Sequence, residues 1–130
     1  MHKFLKFAYE QAKAHPYDLS LEYNLCAIIV RGGKVLSIGY NRRGWNGLSE
    51  SYKAQDHACT IHAEIDAIVS KRKKIRFEGA KIYVVRVRAD GTVGNARPCP
   101  MCQAVLTAYG IKKAVYTLSF VEYGVVKLNR

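Results

Sequence analysis

His62-Ala63-Glu64 and Pro98-Cys99-Pro100-Met101-Cys102 are the two stretches around which this 130-residue chain is organised. Zinc favours imidazole nitrogen and thiolate sulfur, and a catalytic zinc takes three protein ligands while leaving its fourth position to water. His62, Cys99 and Cys102 make such a set. Two thiolates offset the charge of the dication, and water at the open position can still approach a neutral pKa. Glu64 is the remaining member, a carboxylate that binds no metal and is placed to move a proton.

The spacings constrain the structure. Residues two apart do not share a helix face, so His62 and Glu64 converge only at a helix start, pointing past its end. Cys99 and Cys102 are three apart, which puts both sulfurs on one side of a first turn. Pro100 suits an early helical position, where no N–H is needed. Two helix N-termini would then face one metal, and their partial positive charge favours thiolate over thiol.

Together and in this order, the two stretches resemble the H-x-E…P-C-x-x-C signature of the zinc-dependent cytidine/deoxycytidylate deaminase superfamily, and the likeness extends over nearly the whole chain. A lone C-x-x-C is equally a redox motif or half of a structural zinc site. A structural zinc would need a fourth ligand such as His57 or Cys59. The resemblance implies one catalytic Zn2+ per chain, held by His62, Cys99 and Cys102, with Glu64 as the catalytic acid and base.

The length suits a single domain spanning residues 1–130, and 49% apolar composition supplies one core. No stretch is apolar enough for a membrane span, and no signal-peptide cleavage site stands at the N-terminus, so an intracellular, cytoplasmic protein is expected. Of four cysteines, two are claimed by the metal motif, and Cys26, in an apolar run, reads as core. The formal net charge of +11, from 21 basic and 10 acidic residues, favours phosphate-bearing partners without separating a nucleotide from a nucleic acid.

Outward from the motifs, apolar spacing predicts an amphipathic helix over 2–14, stopped by Pro16. A hairpin follows, with strands over 26–30 and 35–41 joined at Arg31-Gly32-Gly33-Lys34. The second strand ends in Gly39-Tyr40-Asn41, similar to deoxycytidylate deaminases, and the resemblance makes Asn41 a candidate for a sugar hydroxyl; the alternative is a turn asparagine bonding its own backbone. Residues 42–60 form a long irregular stretch expected to wall the pocket, with Arg42, Arg43 and Lys53 as phosphate candidates and Trp45 and Tyr52 as stacking candidates. His57-Ala58-Cys59-Thr60-Ile61-His62-Ala63-Glu64 is again similar to deoxycytidylate deaminases, in which such a His or Cys can join a second zinc; one of each does not complete that site.

The catalytic helix is expected over 62–73, ending in the basic run 71–76, which reads either as a complement to the helix dipole or as a nucleic-acid patch. Residues 81–88 alternate as a strand, 89–97 turn back to the metal, 101–109 continue the second zinc helix to Gly110, and 114–118 form the fourth strand. A fifth strand at 125–128 lies too close to the fourth for a parallel crossover, so the last two strands should be antiparallel, with a hairpin around Glu122-Tyr123-Gly124. That tail resembles free-nucleoside cytidine deaminases, whereas the motifs resemble the nucleotide branch.

The expected fold is therefore α/β, a cytidine-deaminase-like three-layer arrangement with a five-stranded mixed sheet and helices on both faces. The expected reaction is hydrolytic deamination of a cytosine nucleoside or nucleotide. By resemblance, the Ala63 amide binds the base carbonyl and the Arg97 carbonyl accepts from the amine. The alternative is a deaminase of cytosine or adenine within single-stranded RNA or DNA, supported by charge and by Trp45 and Tyr123. Small deaminases of this kind often assemble as homo-oligomers.

Overall fold

A computed structural model describes residues 1–16, 21, 23–43 and 60–128. Its elements follow the chain as α1 (Lys3–Ala14), β1 (Tyr23–Arg31), β2 (Lys34–Tyr40), β3 (Arg42–Arg43), β4 (Thr60–Ile61), α2 (Ala63–Lys71), β5 (Lys81–Arg88), β6 (Val93–Gly94), α3 (Pro100–Ala108), β7 (Lys113–Thr117) and β8 (Tyr123–Lys127).

The main sheet runs β2-β1-β5-β7-β8, with β6 added to β5. It is mixed: β5 and β7 are parallel, while β1 is antiparallel to both β2 and β5, and β7 to β8. The α3 crossover supplies the length that the parallel pair needs. The five residues between β7 and β8 allow only a reversal, as the connection length predicted. The reversal itself sits earlier than expected. Leu118 and Ser119 donate their amides to the Glu122 carbonyl, the Ser119 hydroxyl accepts from the Val121 and Glu122 amides, and Tyr123 and Gly124 already belong to the strand.

Alternation along each strand splits the apolar side chains into two layers. Ala27, Ile29, Ile82, Val84 and Ala114 face α2 and α3, burying Ile65, Ile68, Val105 and Leu106. Cys26, Ile28, Val30, Val85 and Val115 face α1, which buries Leu5, Ala8 and Ala12. The result is three layers with both motif-bearing helices on one face. Burying Ile65 and Ile68 completely contributes roughly 3–6 kcal/mol to holding α2 on the sheet. Cys26 is a core residue whose thiol is pushed up to about 12 by burial.

Several boundaries differ from the sequence expectation. β1 starts three residues early because Asn24, 6% exposed, donates its amide to the Ala12 and His15 carbonyls and so ties the strand to the end of α1. The ends of the stretch read as irregular pair with each other, Arg42 opposite Ile61 and Arg43 opposite Thr60, which delivers the chain to His62 in extended form. α2 ends at Lys71, followed by a turn in which Lys74 and Ile75 donate to the Lys71 carbonyl. The hairpin at Gly32 and Gly33 is as expected, both residues having positive φ, of 60° and 78°. No helix among the described residues is long and apolar enough to cross a membrane.

Candidate metal centre and pocket

Both motif helices begin at the residues that carry the chemistry. His62 is the N-cap of α2, with extended backbone (φ −69°, ψ 150°), and its ring makes no capping bond. Glu64 follows in the first turn. Cys99 is the N-cap of α3; its sulfur accepts from the Cys102 amide at 3.4 Å, and Pro100 occupies the start of the helix. The two helix starts meet. His62 Nδ1 lies 3.3 Å from Cys102 Sγ and 3.6 Å from Cys99 Sγ, and the three donor atoms lie within 4.8 Å of one another.

The donor set fits zinc. Tetrahedral coordination at ordinary Zn–N and Zn–S lengths separates nitrogen from sulfur by about 3.6 Å. The His/Cys/Cys group is thus positioned to bind one zinc. Without the ion, the Cys99 thiol is held down at about 4, first by the hydrogen bond from Cys102 and then by His62, against the opposing effect of burial. Cys102 keeps the proton of the pair, its thiol pushed up by that same hydrogen bond and by burial. Loading the metal must therefore release at least that proton.

Glu64 is only 4% exposed, and its carboxyl is pushed up to about 7, chiefly by burial. Its own backbone amide and His62 oppose the rise, and Cys99 adds to it. The carboxyl opens into a cavity of about 150 Å3. His62, Glu64 and Cys99 form one side, Tyr23, Leu25 and Arg86 the sheet side, and Asn95, Ala96 and Arg97 the rim. The cavity lies toward the carboxyl end of β5, where β5 and β7 part and β6 is inserted, near the usual place for a ligand in α/β sheets. Buried Thr117 closes the split: its hydroxyl donates to the Gly94 carbonyl at 2.9 Å, and its own carbonyl accepts from Ala96.

Helix α2 is pinned against β2 at close range. The Ser37 hydroxyl donates to the Ala67 carbonyl at 2.6 Å, and Gly39 faces the backbone of Ala63 and Ala67. Asp66 accepts from the Tyr40 amide at 2.9 Å and from Arg42 Nε at 2.7 Å, and as an acid in the first turn it also complements the helix dipole. Asp66→Ala removes all three interactions. The expected loss is about 2 kcal/mol in urea unfolding, most of it retained at high salt because the half-exposed ion pair is the minor part. An unfolding midpoint that matches the wild type at high salt would contradict this.

The residues singled out from sequence divide into groups. His62, Glu64, Cys99 and Arg97 share the cavity wall, Cys102 lies behind it, and Ala63 starts α2. The Arg97 side chain turns outward, donating to the Tyr116 hydroxyl at 2.8 Å, while its amide donates to Asn95 Oδ1. Asn41 is bonded to the sheet side of the cavity; its Oδ1 accepts from the Leu25 amide at 2.7 Å and its Nδ2 donates to the Tyr23 carbonyl at 2.9 Å. Arg43 is exposed on β3. Trp45, Tyr52, Lys53, His57 and Cys59 lie outside the described residues. Tyr23, Asn95 and Asp66 were not legible as site residues. Arg86 left a signal, a charge in register with Ile82 and Val84 on the buried row of β5.

A family model described as the cytidine and deoxycytidylate deaminase zinc-binding region matches residues 1–118. Among solved structures, cytidine deaminase from Burkholderia pseudomallei is similar at a TM-score of 0.68 and 22% identity, covering 98% of this chain and 93% of that one. Apo dCMP deaminase from the cyanophage S-TIM5 gives 0.58 at 20% identity, over 91% and 86%. Cytidine deaminase from Mycobacterium leprae gives 0.56 at 18% identity, over 95% and 89%. No curated protein sequence matches the chain.

Proposed function

Because the chain belongs to the cytidine and deoxycytidylate deaminase family, we propose that it hydrolyses the exocyclic amine of a free cytosine nucleoside or nucleotide, yielding the uracil form and ammonia. The observation that carries this reading is the buried Glu64 carboxyl, pushed up to about 7, in the same cavity as the His62 and Cys99 donors. When bound, zinc supplies the Lewis acidity that lowers the pKa of water at its open position toward neutrality.

The chain's own residues do the rest. Glu64 would take one proton from the attacking water and place it on N3 as the water oxygen bonds to C4, then carry the remaining hydroxyl proton to the amine as the C4–N bond breaks and ammonia leaves. The Ala63 amide, at the start of α2, has no partner within the helix and binds the base carbonyl. The Arg97 carbonyl accepts from the amine, its position set by Asn95 and by the Ala96–Thr117 bond. Asn41 holds Tyr23 and Leu25 in the wall through one donor and one acceptor. The other donor and acceptor of its carboxamide serve a sugar hydroxyl.

The test is ammonia release from cytidine, deoxycytidine, their monophosphates and cytosine- or adenine-containing oligonucleotides, with chelated enzyme as blank. Turnover of a free cytosine compound, lost on chelation and restored by zinc, is expected. Turnover confined to oligonucleotides, falling steeply with salt, would overturn the reading and make the basic surface a substrate track.

A further inference from the structure

Arg86 has no structural need that the described residues meet. It projects from β5 on the face of α2 and α3, in line with Ile82 and Val84, into the cavity that holds Glu64. Its guanidinium carbon stands over the Tyr23 ring, 4.0 Å from the centroid, a cation–π contact that favours this placement of the side chain. Its Nε is buried without a hydrogen-bond partner, and no carboxylate among the described residues pairs with it. A guanidinium keeps its charge at any working pH, and a half-buried one without an anion is costly. Stacking on an aromatic ring offsets only part of that cost.

Two further guanidinium groups stand near, one bonded to Tyr116 and the other to Thr92 beside Asp90. Arg97 stands at the rim of the same cavity. Gly94, opposite Arg86 on β6, leaves the space that the Arg88 guanidinium occupies, with Nη2 2.7 Å from where a Cβ would stand. A neutral ring carbonyl would satisfy one donor of Arg86 and leave its charge uncompensated. A phosphate accepts from two donors at once and cancels the charge.

We infer that Arg86 is a specificity-determining residue of the cavity, the anchor for a phosphate group on the substrate, so that the preferred substrate is a nucleotide rather than a nucleoside. The inference rests on the cavity being the substrate site argued above. It selects one branch of that reading.

The experiment pairs two readouts on the zinc-loaded protein. In the first, kcat/KM is measured for deoxycytidine and cytidine and for their monophosphates with wild type, Arg86→Gln and Arg86→Lys. Wild type favours the monophosphates, and R86Q lowers their kcat/KM on the order of 100-fold more than that of the nucleosides. R86K falls between, because it keeps the charge and loses the fork. In the second, the Tm of the wild type rises with added inorganic phosphate and that of R86Q does not.

Equal losses on nucleosides and nucleotides would overturn the inference and make Arg86 a wall residue. So would phosphate stabilisation that survives R86Q. If no cytosine compound is turned over yet phosphate protection depends on Arg86, the anion site stands and the proposed reaction fails.

Discussion

Glu64→Gln is expected to lower kcat by about 10^3-fold or more, as loss of a general acid-base group does, while making the metal-free protein more stable above neutral pH. The stability half follows from burial. The folded carboxyl titrates near 7 against an ordinary 4.5, mainly because the cavity wall removes it from water. Between those two values the folded chain keeps a proton that the unfolded chain has released, so stability falls as pH rises through the folded pKa. The contribution is fully present below about 4.5 and gone above about 7. The difference corresponds to something on the order of 3 kcal/mol. Glutamine has the same shape and never ionises, so E64Q escapes this fall. Urea unfolding of the two metal-free proteins at acidic and alkaline pH would read it directly. Parallel pH profiles would show that Glu64 is not desolvated. With zinc loaded the gap narrows, since a neighbouring dication favours the ionised carboxylate, and unchanged zinc content in E64Q separates loss of chemistry from loss of the site.

Gly39→Ala is expected to be among the most damaging single substitutions in the fold, costing roughly 3 kcal/mol or more as an overpacking change. A Cβ at Gly39 would run into Ala63 O and Ala67 N and stand 2.8 Å from Ala67 Cα. These are main-chain atoms of α2 and cannot rotate away. Gly to Ala in a strand would otherwise be mildly favourable, so the sign of the effect is diagnostic. Relief requires α2 to lift from β2, which strains the Ser37–Ala67 and Tyr40–Asp66 bonds and moves His62 and Glu64 away from Cys99 and Cys102. Zinc affinity should fall along with stability. The double variant G39A/A67G should recover nothing, because the obstructing atoms remain after the alanine methyl is gone; a rescued double variant would refute the argument.

Gly39 also shows the limit of reading a chain by itself. Gly39-Tyr40-Asn41 stood out by resemblance, with Asn41 as the residue of interest. The glycine turns out to set how closely α2 approaches the sheet, and Asn41 bonds β1. Neither fact could be read from order along the chain, because each depends on residues more than fifteen positions away. The same holds for β6, for the pairing of β3 with β4, and for Tyr23 beneath Arg86. In the tail, connection length correctly excluded a parallel crossover, but the bonds of Ser119 and Glu122 placed the reversal.

From sequence alone, the three metal donors, the α/β class, the antiparallel final pair and the span of β5 were determined, and Glu64 was singled out as the candidate proton carrier. The strands and the final reversal depend on alternation within one segment and on connection length, which covalent geometry imposes before any folding, and the donor set on two short motifs whose order resembles a known signature. Only the tertiary structure decided the closeness of α2 to β2, the desolvation of Glu64 and the placement in the same cavity of an arginine with no ion-pair partner among the described residues. Those arise from cross-strand register and from what is left between elements once they pack, and burial is a property of the assembled layers.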